Sequence, residues 1–156
     1  MLDDLLERIL AGDGDAAGRH LGLGLLLATA HQGSRAAMNA GLRPLGIEVR
    51  EFAMLAALET YGPVSQRRLT DLTGIDKSTM VRIVDGLEDG GLVRRERAPE
   101  DRRAYSVVLT EEGLRVLGRG REVTGDVGER LFGWLTPEQR EQLVELLRQV
   151  AEHASE

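Results

Sequence analysis

The sequence contains no cysteine. That absence excludes disulfides, thiolate metal sites, a cysteine nucleophile and thiol-based peroxide sensing, and leaves methionine as the only sulfur open to oxidation. Also missing is an apolar run approaching the roughly 20 residues of a membrane span; the most apolar stretch, Leu21 to Ala30, is interrupted by Gly22 and Gly24. The N-terminus carries Asp3, Asp4 and Glu7 where a secretory signal would carry positive charge. A soluble, cytoplasmic protein without membrane contact is the expectation.

Several kinds of site are missing too. There is no internal repeat and no glycine-rich phosphate loop of the usual form. Gly22-Leu23-Gly24 lies within a helical pattern, where its glycines are expected to permit close helix contact. His20, His31 and His153 are too dispersed for metal-ligand spacing, so no metal or other cofactor is expected. The acidic pairs Asp3-Asp4, Glu100-Asp101 and Glu111-Glu112 are adjacent in sequence. On a helix such neighbours point about 100° apart and do not converge on one substrate atom. Nothing assembles a catalytic site, and the chain is not expected to be an enzyme.

What is present is one good core's worth of apolar residues: 42% of a 156-residue chain, short for two independent domains. The formal charge of −6 speaks against a phosphate-binding protein if taken as an average. It hides a gradient, because residues 62–110 hold nine Arg or Lys against eight Asp or Glu, and the acidic excess lies outside them. If the molecule binds nucleic acid, its middle does so.

The organisation is mainly α. Leu2, Leu5, Leu6, Ile9 and Leu10 mark a short amphipathic helix, and a longer helix runs from about Ala17 to Asn39, stopping at Gly41 to Pro44. Phe52, Leu55, Ala56 and Leu58 mark a third, closed by Tyr61-Gly62-Pro63. Ser65 is the N-cap of a short helix with Leu69 and Leu72 inward, ending at Gly74. Asp76 caps the next, whose buried face is Met80, Ile83, Val84 and Leu87. Two short helices joined by Thr73-Gly74-Ile75 are the helix-turn-helix pattern, whose second helix enters a major groove.

Leu92-Val93 and Tyr105 to Leu109 read as strands joined by the polar loop Arg97 to Arg103, a hairpin that would form a wing. Thr110 caps a helix with the stripe Leu114, Leu117, Val127 and Leu131. Thr136-Pro137-Glu138-Gln139 is a capping box opening a last helix with Leu143, Leu146, Leu147 and Val150 inward.

The stretch from Ser65-Gln66-Arg67-Arg68-Leu69 through Gly74-Ile75-Asp76-Lys77-Ser78-Thr79-Met80-Val81-Arg82 to Gly90-Gly91-Leu92-Val93-Arg94-Arg95 resembles the MarR family of bacterial regulators. So do Pro99-Glu100-Asp101-Arg102-Arg103 and Leu109-Thr110-Glu111-Glu112-Gly113. The motifs cover residues 45 to 113 in matching order. Two positions depart from the family's usual choices: Gly86, where a long basic residue is common, and Ala98, where the wing usually has Asp or Asn.

The resemblance implies a winged helix-turn-helix fold. Residues 45–110 would form the DNA-binding domain, and helices from 1–44 and 111–156 would make a homodimer. Apolar stripes at both chain ends independently ask for such a partner.

A DNA-reading surface would use Lys77, Ser78, Thr79 and Arg82 in a major groove. Arg82 suits the N7 and O6 of guanine. Arg102 and Arg103 would enter a minor groove, with Arg95 and Arg97 as further DNA contacts of the wing region. Ser65 and Gln66, at a helix N-terminus, would meet phosphate, although capping alone accounts for Ser65 equally well. As the resemblance implies, Asp101 would orient a wing arginine. A dimer with two identical reading heads requires double-stranded DNA with inverted half-sites.

The resemblance further implies a small, often anionic aromatic effector bound between the dimerisation helices and the reading head. His20, His31, Arg35, Arg43 and Met54 lie on segments that could line its cleft. The overall negative charge leaves one rival: a winged-helix protein-interaction module that does not read DNA.

Overall fold

The structure is a computed structural model that describes residues 16–97 and 105–154. The expected helix at Leu2 to Leu10 and the wing tip with Ala98, Asp101, Arg102 and Arg103 lie outside the described residues. Helix α1 spans Ala16–Leu42 and passes into a 3-10 turn at Arg43–Leu45, which Gly46 closes at φ 74°. Pro44 lies in that turn, so the helix runs three residues beyond Asn39 and the chain stays coiled to Leu45 before it breaks. Asn39 Oδ1 accepts a 2.9 Å hydrogen bond from the Val49 amide, fixing the start of α2, Val49–Tyr61, against the end of α1.

Then follow α3, Gln66–Thr73, and α4, Lys77–Asp89. Strands β1, Val93–Arg97, and β2, Tyr105–Leu109, pair antiparallel in the register Val93 with Leu109 through Arg97 with Tyr105. Val64, just before α3, pairs with Val107 and ties the helix-turn-helix to the hairpin's base. Helix α5, Glu111–Phe132, crosses back over α1 and α2, and α6 spans Pro137–His153.

The core sits where α2, α3, α4 and the hairpin meet, and α5 closes it. Met54, Leu55, Leu69, Met80, Val84, Leu87, Val93, Val107 and Leu117 are essentially inaccessible. Burying each contributes roughly 1.5–3 kcal/mol, which is what holds two helices as short as α3 and α4 in place. Met54, expected to line an effector cleft, is wholly inaccessible and part of this core.

The approach of α5 to α2 and α1 is decided by two glycines. A Cβ on Gly120 would lie 2.7 Å from the Phe52 ring, and one on Gly41 would lie 2.9 Å from Val123 Cγ1. These two contacts set α5 against α2 and α1, and Arg121 adds an ion pair to Glu59 across the α5–α2 seam. Gly24, by contrast, has nothing within 4 Å of a Cβ in the single chain.

Of the two inward stripes expected from periodicity, that of α5 is buried at Leu117 and Val127, half-buried at Leu131 and outward only at Leu114, whereas that of α6 faces outward. Leu114 is exposed, because the face of α5 that meets the core carries Gly113, Val116, Leu117, Gly120 and Val127. On α6 no residue is buried, and Leu143, Val144, Leu146, Leu147 and Val150 are open to solvent. Trp134, 77% exposed, precedes them, and Leu21, Leu23, Leu26 and Leu27 of α1 are likewise uncovered. Among the described residues no helix is long and apolar enough to cross a membrane.

Gly120→Ala is expected to lower unfolding free energy by about 1–3 kcal/mol, the usual cost of overpacking. Gly86→Ala, whose Cβ would meet only Glu51 Oε1 at 3.8 Å, is expected to raise it by about 0.5–1 kcal/mol through helix propensity. Urea denaturation at one fixed protein concentration compares them. Equal effects would show that the Phe52 ring yields without cost.

Candidate nucleic-acid interface

Each end of the helix-turn-helix is fixed by a local hydrogen bond. Ser65 Oγ accepts from the Arg68 amide at 3.2 Å and starts α3. Gly74, at φ 67°, returns its N–H to Thr70 and turns the chain in the left-handed region that a β-carbon disfavours. Asp76 Oδ1 accepts from the Thr79 amide at 2.9 Å and from Ser78 Oγ at 2.6 Å. The hydrogen bonds from Ser78 and then Thr79 hold its carboxyl well below the usual carboxylate range, against a small opposing effect of desolvation.

With Met80, Ile83, Val84 and Leu87 buried, the opposite side of α4 presents Lys77, Ser78 and Arg82 to solvent, with Thr79 half-buried beside them. Ser78 already gives its hydroxyl hydrogen to Asp76, so outward it offers only lone pairs. Arg82 Nη2 donates to Thr79 Oγ1 at 3.3 Å, which braces the guanidinium and leaves its other donors available. Gln66 is half-buried, and its Nε2 is enclosed without a hydrogen-bond partner among the described residues. Leaving such a donor unsatisfied costs on the order of 1–3 kcal/mol.

Arg35, expected on the effector side, meets Arg82 at a cavity of about 240 Å³ where α1, the start of α2 and α4 converge. Glu48, Arg50, Glu51, Thr79 and Ile83 complete its walls. His20 and His31 lie exposed on α1, 11 residues and hence about three turns apart, on one side of the helix.

Comparison with known proteins decides what kind of surface this is. The MarR family model matches residues 45–104. Over 100 residues the chain is 30% identical to the transcriptional regulator HosA of Escherichia coli O111:H-, covering 64% of this chain and 74% of that protein. The crystal structure of CouR from Rhodococcus jostii RHA1 bound to p-coumaroyl-CoA superposes with a TM-score of 0.74 at 32% identity, covering 83% of this chain and 91% of CouR. The chain belongs to the MarR family. An Escherichia coli MarR mutant complexed with operator DNA also superposes, with a TM-score of 0.79 at 26% identity over 88% of this chain and 99% of MarR. The protein is thus a MarR-family transcriptional regulator with a winged helix-turn-helix, and the protein-interaction rival gains nothing from these likenesses.

One expected contact of this regulator is engaged elsewhere. Arg95 lies on β1, but its guanidinium pairs with Asp85 and Glu88 of α4, and its amide donates to Glu88 Oε1 at 2.9 Å. Burial opposes its charge, yet the hydrogen bonds and attraction of Asp85 and Glu88 outweigh it and hold the group above its ordinary value. Arg95 therefore joins wing to recognition helix, a role the sequence analysis missed. The signal was there: Asp85 and Glu88 stand three apart on one helical face, and a cation follows seven residues later. Arg97 ends β1, exposed, opposite Tyr105.

The Asp76 cap has a pH signature. Its carboxyl stays ionised in the folded chain below its ordinary value of 3.8, so the stability it contributes is present above that value and disappears as acid protonates the folded group. The Tm difference between the parent and Asp76→Ala is expected to be constant between about pH 7 and pH 5 and to narrow below about pH 4. A difference that does not change with acid would show that the charge on the cap is irrelevant.

Proposed function

We propose that the protein is a homodimeric, sequence-specific double-stranded DNA-binding repressor, released by a small anionic or aromatic ligand and working in the cytoplasm on chromosomal operators. The observation that carries this reading is the outward side of α4. Lys77, Ser78 and Arg82 stand together there over a buried apolar face, the form needed to enter a major groove. The operator-bound MarR, which shares the fold, supports it.

In this reading residues 45–110 are the reading head, with Ser65, Gln66, Lys77, Ser78, Thr79, Arg82 and the wing residues Arg97, Arg102 and Arg103 toward DNA. Asp101 orients the wing tip, and Arg95 positions the wing through α4. The helices in 1–44 and 111–156 supply the dimer. Their uncovered apolar stripes on α1 and α6, with Trp134 beside them, are surfaces that a second copy of the chain would cover.

In this reading the ligand response runs through the cavity where Arg35, Arg50 and Arg82 stand beside Glu48 and Glu51. An anion bridging Arg35 and Arg82 would draw the latter away from the groove, coupling the effector's affinity to that of DNA with opposite sign. His20 and His31 stay as outer candidates on α1. That CouR was crystallised with p-coumaroyl-CoA supports a ligand-responsive regulator without naming this one's ligand.

Sedimentation equilibrium is expected to give about twice the 17.1 kDa chain mass and, for Leu147→Glu, a shift toward monomer as a charge is forced into the dimer face. A monomeric parent would refute the dimer. Selection from a random DNA pool is expected to return an inverted repeat with half-site centres about 10 base pairs apart. Arg82→Ala should then cost about 1–3 kcal/mol per contact and relax one position in each half-site. Uniform weakening over all sequences would instead assign Arg82 to the phosphate backbone.

A further inference from the structure

Helix α4 carries five aliphatic or thioether side chains, and four of them, Met80, Ile83, Val84 and Leu87, are buried. The fifth, Val81, is 38% exposed. At about 100° per residue it projects between the direction of Lys77 and that of Ser78, so it shares the solvent face of the recognition helix with them. It also stands at the rim of a cavity of about 370 Å³ between α3 and α4, whose other walls are Gln66, Arg67, Thr70, Lys77 and Met80. Isolated exposed aliphatics are common on proteins. This one is set apart by its place: an apolar spot ringed by polar and cationic side chains, in the middle of the surface offered to the duplex.

We propose that Val81 is a specificity-determining residue that packs against the C5-methyl group of a thymine in each half-site. The inference rests on the DNA-binding reading above. Val81 can neither donate nor accept a hydrogen bond, so it gains nothing from the polar base edges that Lys77, Ser78 and Arg82 can address. The thymine methyl is the hydrocarbon that unmodified base pairs present in the major groove, and contact with it removes apolar surface of both partners from water. Val81 and Arg82 are adjacent, with Cα atoms about 3.8 Å apart. The thymine accordingly lies within about two base pairs of the position that Arg82 reads.

The test uses the full-length dimer and its selected operator, with deoxyuridine replacing each thymidine in turn, symmetrically in both half-sites. Deoxyuridine lacks only the methyl group. One symmetric replacement is expected to weaken binding about fourfold per half-site, or roughly fifteenfold for the operator, the effect of one uncovered methyl. Val81→Ser, checked for parental helicity and dimer mass, should bind the thymidine and deoxyuridine operators equally. Arg82→Ala should bind both more weakly while preserving their ratio, closing a cycle that isolates the Val81 contact. If the parent is insensitive to every replacement, or Val81→Ser keeps the parent's sensitivity, the proposal is overturned and sequence-specific binding stands. If the pool yields no preferred sequence at all, the DNA-binding reading fails and takes this inference with it.

Discussion

Met80, Ile83, Val84 and Leu87 bury one side of α4 against α2, α3 and β1, and a helix of 13 residues has only one side to give. That single packing constraint selects everything turned outward. It aims Lys77, Ser78 and Arg82 at solvent together, leaves Val81 at the rim, and brings Asp85 and Glu88 around to the strand that carries Arg95. The caps at Ser65 and Asp76 and the left-handed Gly74 turn fix where the two helices begin and how they join. Without the buried face those caps would hold α3 and α4 as turns, since helices this short are marginal in isolation.

The same geometry resolves how an acidic chain offers a surface to phosphates. Several acidic residues in the central segment are committed locally. Asp76 faces the positive end of α4, and Asp85 and Glu88 face Arg95. Their charge is paired at short range within the reading head. Arg82, Arg67 and Arg68 remain exposed beside them. The field met by a duplex is set by these placements at short range, because beyond about 8–10 Å the charge elsewhere on the molecule is largely screened.

Around the head, α1 and α5 form a second body that is firmly attached and incompletely covered. Gly41 against Val123, Gly120 against Phe52, and Asn39 against the Val49 amide join it to the head with little slack. Its far surfaces, with α6, keep their leucines and valines in water. The cavity lined by Arg35 and Arg82 lies on the seam between the two bodies.

Much of this was legible in the sequence, for a physical reason. The caps at Ser65, Asp76, Thr110 and Thr136 each close a hydrogen bond to an amide three residues on. The buried face of α4 follows from a fixed helical period. Interactions of that range are determined by neighbouring residues, so the chain writes them directly. Tertiary structure alone decided the rest. An apolar stripe records that a helix wants cover but not whether its own chain supplies it, so Leu143, Leu146, Leu147 and Val150 were expected inward and stand outward. Met54 went to the core because packing closed around it, and Arg95 met Asp85 and Glu88 because the hairpin lays β1 against α4, a contact that the spacing of the two carboxylates hints at but does not decide. Gly41 and Gly120 became close contacts because of what lies opposite them, and a sequence read one residue at a time does not show what lies opposite.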